Sequence, residues 1–190
     1  MKLLLMLSAI MISLSAFGQK SMWKLDGGHS SLRFSTKHMG IAYFNGSFQK
    51  FEVGVKAFGE DFSTMEIEMS ADIASINTAN EMRDKHLLSE DFFDAEKFPK
   101  MTFISKSVKK KDDKSFLVSG DFTIHGVTKT VELSAVHTGT IKVKDDGKEI
   151  PIVGFKVTGS IKRSDYGISP DYTDIADEVS LDADLELYMD

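Results

Sequence analysis

Most of this chain alternates. Its last stretch is the cleanest case: Val179, Leu181, Ala183, Leu185, Leu187 and Met189 fall on one side of a period-two pattern, and Ser180, Asp182, Asp184, Glu186 and Tyr188 on the other. Successive side chains of an extended strand point to opposite faces, so such a run marks a strand with one face buried. The pattern recurs at Leu32 and Phe34, at Phe44, Gly46 and Phe48, at Phe51, Val53 and Val55, and at Met65, Ile67, Met69 and Ala71. It recurs again from Met101 to Val108, from Phe116 to Ile124 and from Val131 to His137. A phase change at Gln49-Lys50 predicts a bulge or bend. Asp145-Asp146-Gly147-Lys148 predicts a hairpin turn between strands at about 139–144 and 151–162. The mixed-sign run KKKDDK at 109–114 and His125-Gly126-Val127-Thr128 predict two more turns.

Eight to ten strands, antiparallel by their turns, must close or stack to hide their edges. Gly46, Gly120 and Gly159 sit mid-strand on apolar faces, where they permit sharp coiling or leave room inside. The expected fold is therefore all-β, a closed antiparallel barrel of about eight strands. Such a barrel holds packed side chains or one small ligand. A sandwich is the alternative the pattern leaves open.

One segment breaks the rule. Asn77–Pro99 reads as helix: Thr78 and Glu81 have capping-box spacing, and Glu81 with Lys85 makes an i, i+4 pair. Ser89 followed by Glu90 and Asp91 reads as a second N-cap, with Phe92, Phe93 and Phe98 as anchors and Pro99 as the stop. The reading is a two-helix insertion at about 79–96, covering one opening of the barrel.

At the N-terminus, Lys2 precedes an apolar run from Leu3 to Phe17, and Ala16-Phe17-Gly18 fits a small-x-small cleavage site. The expectation is a signal peptide at 1–18 and one domain at 19–190, exported to the periplasm or secreted, with no integral span after cleavage. An uncleaved anchor is the alternative, but the run is short for a span of about 20 residues. The chain has no cysteine, so neither a lipoprotein anchor nor a disulfide is available. Formal net charge is −6, or −7 once Lys2 is removed, which argues against nucleic acid or an anionic membrane surface as a main partner.

No chemistry-bearing motif emerges. His29, His38, His86, His125 and His137 show no metal-ligand spacing, and no G-x-S-x-G elbow or phosphate loop is present. The expectation is no metal, no cofactor and no catalytic residue. Polar groups concentrate in the insertion, where Arg83, Asp84 and His86 either meet a ligand or pin the insertion to the barrel. Arg163 and Asp165, at a strand end, take the same two readings, and an exposed ion pair is the plainer one. The 14 phenylalanines and 10 methionines suit either a filled core or a lined cavity.

Six stretches, in order, resemble the YceI family of exported bacterial proteins: WKLDGGHSSLRFSTKHMG (23–40), NGSFQKFEV (45–53), NTANEMRDKHLLSEDFFDAEKFPKMTF (77–103), GDFTIHGVTKTVEL (120–133), GFKVTGSIKRSDYGI (154–168) and DEVSLDADLEL (177–187). The resemblance implies an extended lipocalin-like barrel whose elongated apolar tunnel takes an isoprenoid lipid, such as a quinone or polyprenyl compound. Tail contacts are then expected from Phe34, Met65, Met69, Phe122, Leu133, Phe155, Val157, Leu181 and Leu185, and head-group contacts from Arg83 and His86. The family's biology ranges from isoprenoid carriage and storage to stress response. The competing readings are a packed structural barrel, with a homodimer through an exposed strand edge, and an enzyme acting on an isoprenoid lipid.

Overall fold

Three of the wall strands bend, and the bends organise the molecule. The computed structural model describes residues 20–169 and 171–190; the expected signal peptide lies outside the described residues. Eleven strand segments form one antiparallel sheet: β1 (Ser21–Leu25), β2 (Ser31–His38), β3 (Ala42–Phe48), β4 (Phe51–Phe58), β5 (Asp61–Asp72), β6 (Ile76–Asn77), β7 (Lys100–Lys110), β8 (Ser115–Ile124), β9 (Val127–Asp145), β10 (Lys148–Lys162) and β11 (Ile175–Met189). The order β1-β4-β5-β7-β8-β9-β10-β11 closes on itself through a β1–β11 pairing, with Trp23 opposite Met189. This is the expected eight-stranded closed barrel.

The remaining three segments extend strands of that ring. β1 and β2 both run antiparallel to β11, split by a bend at residues 26–30. β3 precedes β4 across a bend at Gln49-Lys50, where the phase of the alternation changes. A 3-10 turn at Ile73–Ser75 separates β6 from β5. Beyond the bends the pairing continues as β11-β2-β3-β6 and stops. The segment between β6 and β7 is the insertion.

The alternation maps onto the wall. In β8, every second residue from Phe116 to Ile124 is buried. The hairpin turns carry the backbone that two-residue loops require: Asp146 and Gly147 have φ of 45° and 80°, and His125 and Gly126 have 52° and 74°.

The insertion differs from expectation. It forms one helix, α1 (Glu81–Leu88), not two. Its N-cap is Asn80, whose side chain accepts from Arg83 N at 3.0 Å; Ala79, with φ of 59°, already breaks the helical path before Glu81. Thr78 is instead held from within the helix, since Asp84 Oδ1 accepts its backbone N–H at 2.9 Å and its hydroxyl at 2.5 Å. The expected second helix gives way to turns because its amides terminate the first. Phe93 N donates to Leu87 O and Ala95 N to Leu88 O, each at 3.0 Å, and Asp94 turns the chain at φ 45°. Carbonyls left free at the end of α1 are thereby satisfied.

Candidate functional site

The barrel encloses an apolar lumen of about 180 Å³. All nine residues expected to contact a tail line it: Phe34, Met65, Met69, Phe122, Leu133, Phe155, Val157, Leu181 and Leu185. They come from β2, β5, β8, β9, β10 and β11, because the alternation sends one face of each strand inward.

The mid-strand glycines do not leave the lumen empty. A Cβ on Gly46 would stand 2.3 Å from the Phe34 ring, one on Gly120 would stand 2.5 Å from the Phe103 ring, and one on Gly159 would stand 2.4 Å from Leu133. Each glycine is a seat for a side chain of the neighbouring strand. The room expected there is occupied by rings and a leucine lying flat against the wall.

Aromatic side chains fill the floor. Phe62 packs on Trp23 at 5.4 Å and edge-on against Phe155 at 5.0 Å, and His137 lies 5.4 Å from Phe155. Trp23 is fully buried and its Nε1 donates to Gly59 O at 3.2 Å. This satisfies the polar edge of an otherwise apolar anchor.

The mouth is built by the insertion, the β2–β3 hairpin and the loop between β10 and β11. Leu87 of α1 and Phe92 from the following turn are buried against the lumen. Beside them lies a second cavity lined by His38, Tyr43, Arg83, His86 and Tyr172. Phe44, Leu87, Phe92 and Ile175 line both cavities, so the two are separated by the thickness of one side chain.

Arg83 and His86, the expected head-group residues, line this vestibule and not the lumen. Arg83 donates through Nε to Thr78 Oγ1 at 2.8 Å and through Nη2 to Thr78 O at 2.6 Å, with its guanidinium 5.0 Å over the Phe44 ring. His86 Nε2 lies 3.1 Å from Asp91 Oδ2. The structure therefore places both at the mouth, while the hydrogen bonds of the Arg83 and Asp84 side chains go to Thr78 at the start of the insertion.

Arg163 overturns its sequence reading. It is no exposed ion pair. It is 6 % exposed, lines the lumen at the mouth, and gives its hydrogens to five backbone carbonyls: Ala176, Ile168, Ser169, Tyr172 and Ile175. Asp165 pairs instead with Lys129 at 3.1 Å. Ser169, in the loop that Arg163 gathers, donates to Asp91 O and so ties that loop to the insertion. Nothing in IKRSDYGI distinguishes an arginine that will bind carbonyls from one that will face water; the five acceptors lie along a loop whose path only the fold sets.

Two further groups bear on chemistry. The Tyr166 hydroxyl is buried without a hydrogen-bond partner, and burial followed by the nearby Asp165 charge pushes its pKa up. Among the described residues the one group of three possible metal ligands with converging donor atoms is Asp26, His29 and Glu186, near the β1–β2 bend. His29 is 71 % exposed there, and its hydrogen bond with Asp26 raises the imidazole and lowers the carboxyl.

A closed antiparallel barrel with an apolar lumen and a polar mouth is the architecture of a small-ligand-binding β-barrel. The YceI-like domain family matches residues 23–187, and the chain belongs to the YceI family. A UPF0312 protein of Staphylococcus aureus strain MSSA476 is 42 % identical over 144 residues, covering 76 % of this chain and 80 % of that one. The Campylobacter jejuni YceI protein is 35 % identical with a TM-score of 0.69, covering 79 % and 87 %. Burkholderia cenocepacia BcnA is 25 % identical with a TM-score of 0.72, covering 85 % and 98 %. A polyisoprenoid-binding domain from Saccharophagus degradans shares the fold at 17 % identity and a TM-score of 0.65, covering 88 % and 98 %.

Proposed function

We propose that the chain is an exported binding protein that carries a long-chain isoprenoid lipid of the quinone or polyprenyl type. The lumen takes the tail, and Arg83 and His86 in the vestibule meet the head group. The protein acts by binding and needs no cofactor or metal. The observation that carries this reading is an apolar lumen that a vestibule bearing Arg83 and His86 adjoins across one layer of side chains. Each buried methylene of such a lipid contributes about 0.8 kcal/mol, so a tail held by apolar walls needs few polar contacts. The polyisoprenoid-binding domain of Saccharophagus degradans offers a precedent on the same fold.

The lumen volume favours a second reading and sharpens the first. About 180 Å³ falls below the roughly 300–1,000 Å³ of ordinary ligand pockets and suits a packed structural barrel. For a long tail to enter, side chains that fill the bore must move aside, while the rings of Phe34 and Phe103 already lie against the wall over Gly46 and Gly120. Native mass spectrometry followed by organic extraction separates the two readings. The expected result is a mass excess that extracts as a polyprenyl or quinone species. No excess after incubation with such lipids would leave the packed barrel standing.

A further inference from the structure

The four most exposed large apolar side chains among the described residues lie at one end, with Tyr172 beside them. Ile41 is 87 % exposed, Met82 82 %, Tyr43 65 %, Met39 62 % and Tyr172 43 %. Tyr43 and Tyr172 line the vestibule itself, Met39 and Ile41 form the tip of the β2–β3 hairpin, and Met82 lies on α1. Met39 N donates to Asp174 O at 2.6 Å, which joins the hairpin to the loop that bears Tyr172. An apolar patch concentrated at the opening of a cavity marks a contact surface.

Charge says what kind. From Gly27 to Phe51 the sequence holds no Asp or Glu, although the chain as a whole carries −6. The hairpin that bears the apolar tip is thus the part of an acidic protein least repelled by phosphate. The order of residues along it matters too. Met39, Gly40 and Ile41 occupy the apex, and two rungs back Lys37 pairs in register with Tyr43, the Lys37 ammonium lying 5.1 Å over the Tyr43 ring. Two residues of strand span about 7 Å. Apolar tips that lead, followed at that depth by a tyrosine and a lysine, match the gradient from acyl chain to head group in a bilayer interface. Acidic residues border the patch, with Glu81 next to Met82 and Asp174 O accepting from Met39 N, so it is the acid-free hairpin tip that leads.

We propose that this end docks on a phospholipid bilayer, with the β2–β3 hairpin tip and Met82 dipping into the interface so that the mouth opens against the membrane. The purpose of the docking, to exchange a membrane lipid with the lumen, rests on the lipid-binding reading above. The docking itself does not.

Flotation of residues 20–190, which contain every strand of the ring, tests it with vesicles of phosphatidylcholine and of phosphatidylcholine containing a minority of phosphatidylglycerol. Wild type is expected to float with both. Ile41→Asp should lose about tenfold or more of its partitioning. Lys37→Glu should lose about fivefold on the phosphatidylglycerol vesicles and little on the neutral ones. Both sites are exposed, and circular dichroism checks the fold. Wild type left at the bottom of both gradients, or Ile41→Asp floating as wild type does, overturns the proposal. A self-association seen by light scattering that Ile41→Asp abolishes, with flotation unchanged, overturns it in favour of a face between two copies. Binding of a detergent-solubilised polyprenol separates the two readings. Its retention in Ile41→Asp supports both, whereas Ile41-dependent flotation with no polyprenol bound to either protein keeps the docking and removes the lipid-carrying role.

Discussion

The two ends of this barrel are closed by opposite means. At the floor, Trp23, Phe62 and Phe155 interlock as rings, and the single polar edge, Trp23 Nε1, is matched to one carbonyl. At the mouth, the cover is polar and assembled from loops: Arg163 gathers five carbonyls, Asp84 holds Thr78, and Ser169 ties one loop to another. Backbone torsion follows the same division. Met39, Ala79, Asp94, His125 and Ser169 all have positive φ and all lie at the mouth, whereas Asp146, in the β9–β10 turn, is the one such non-glycine elsewhere among the described residues. Such torsions each cost of the order of 1–3 kcal/mol when a side chain is present, and they collect where a structure serves function. A plug of apolar surface stabilises; a cover of hydrogen bonds and strained turns can be rearranged at low cost.

That contrast can be broken by substitution. Trp23→Ala should give the largest loss of stability, about 3–5 kcal/mol in urea unfolding, with lipid affinity per folded molecule unchanged; a parallel loss of affinity would place the floor in the binding site. Arg163→Met strands five carbonyls, some of which water can reach, and should cost at least about 2 kcal/mol. It should also speed lipid release measured by stopped-flow fluorescence, and unchanged release would mean that the loop does not control the mouth. Gly46→Ala drives the Phe34 ring off its seat. The expected cost is about 1–3 kcal/mol, together with weaker lipid binding in titration, because the displaced ring enters the bore.

The outer wall supplies a comparison with neither end. Arg33 bridges Asp182 and Asp184, and Lys156 joins Asp182 at 2.7 Å and Asp184 at 3.1 Å. Burial works to raise Asp182, but hydrogen bonds from Lys156 and Arg33 outweigh it and hold the carboxyl below the usual range. The Arg33 hydrogen bond does the same for Asp184. A carboxyl with a lowered folded pKa contributes stability that is complete above its unfolded value, about 3.9, and is lost as pH falls through the folded one. Urea midpoints should therefore drop below about pH 4, and Asp182→Asn should flatten that drop. The effect is modest because the residues are partly exposed. Smallest of all, Tyr166→Phe removes a buried hydroxyl that has no partner and should be neutral or stabilising by up to about 1 kcal/mol in thermal unfolding.

The walls were legible in the sequence and the mouth was not. Alternation placed Phe34, Met65, Leu133 and Leu185 on the lumen because period two is a local property that a buried face imposes on each strand separately. The bend at Gln49-Lys50 was legible for the same reason, as a shift in phase. At the mouth the deciding interactions cross the chain. Ser89, Glu90 and Asp91 have the pattern of a second N-cap, yet the Phe93 amide that follows caps α1 instead. Thr78 has the spacing of a cap residue, yet it is held by Asp84 and Arg83. Arg163 was set beside Asp165, its near neighbour in sequence, while its actual partners lie 5 to 13 residues further on.

The way Arg163 is held carries one more consequence. A guanidinium stays protonated at any pH a protein survives, and a backbone carbonyl does not titrate. The grip of Arg163 on its five carbonyls therefore rests on no carboxylate, whereas the clasp on the outside of the same barrel does. In an acidifying medium the barrel would weaken along its flank while those five carbonyls stayed held.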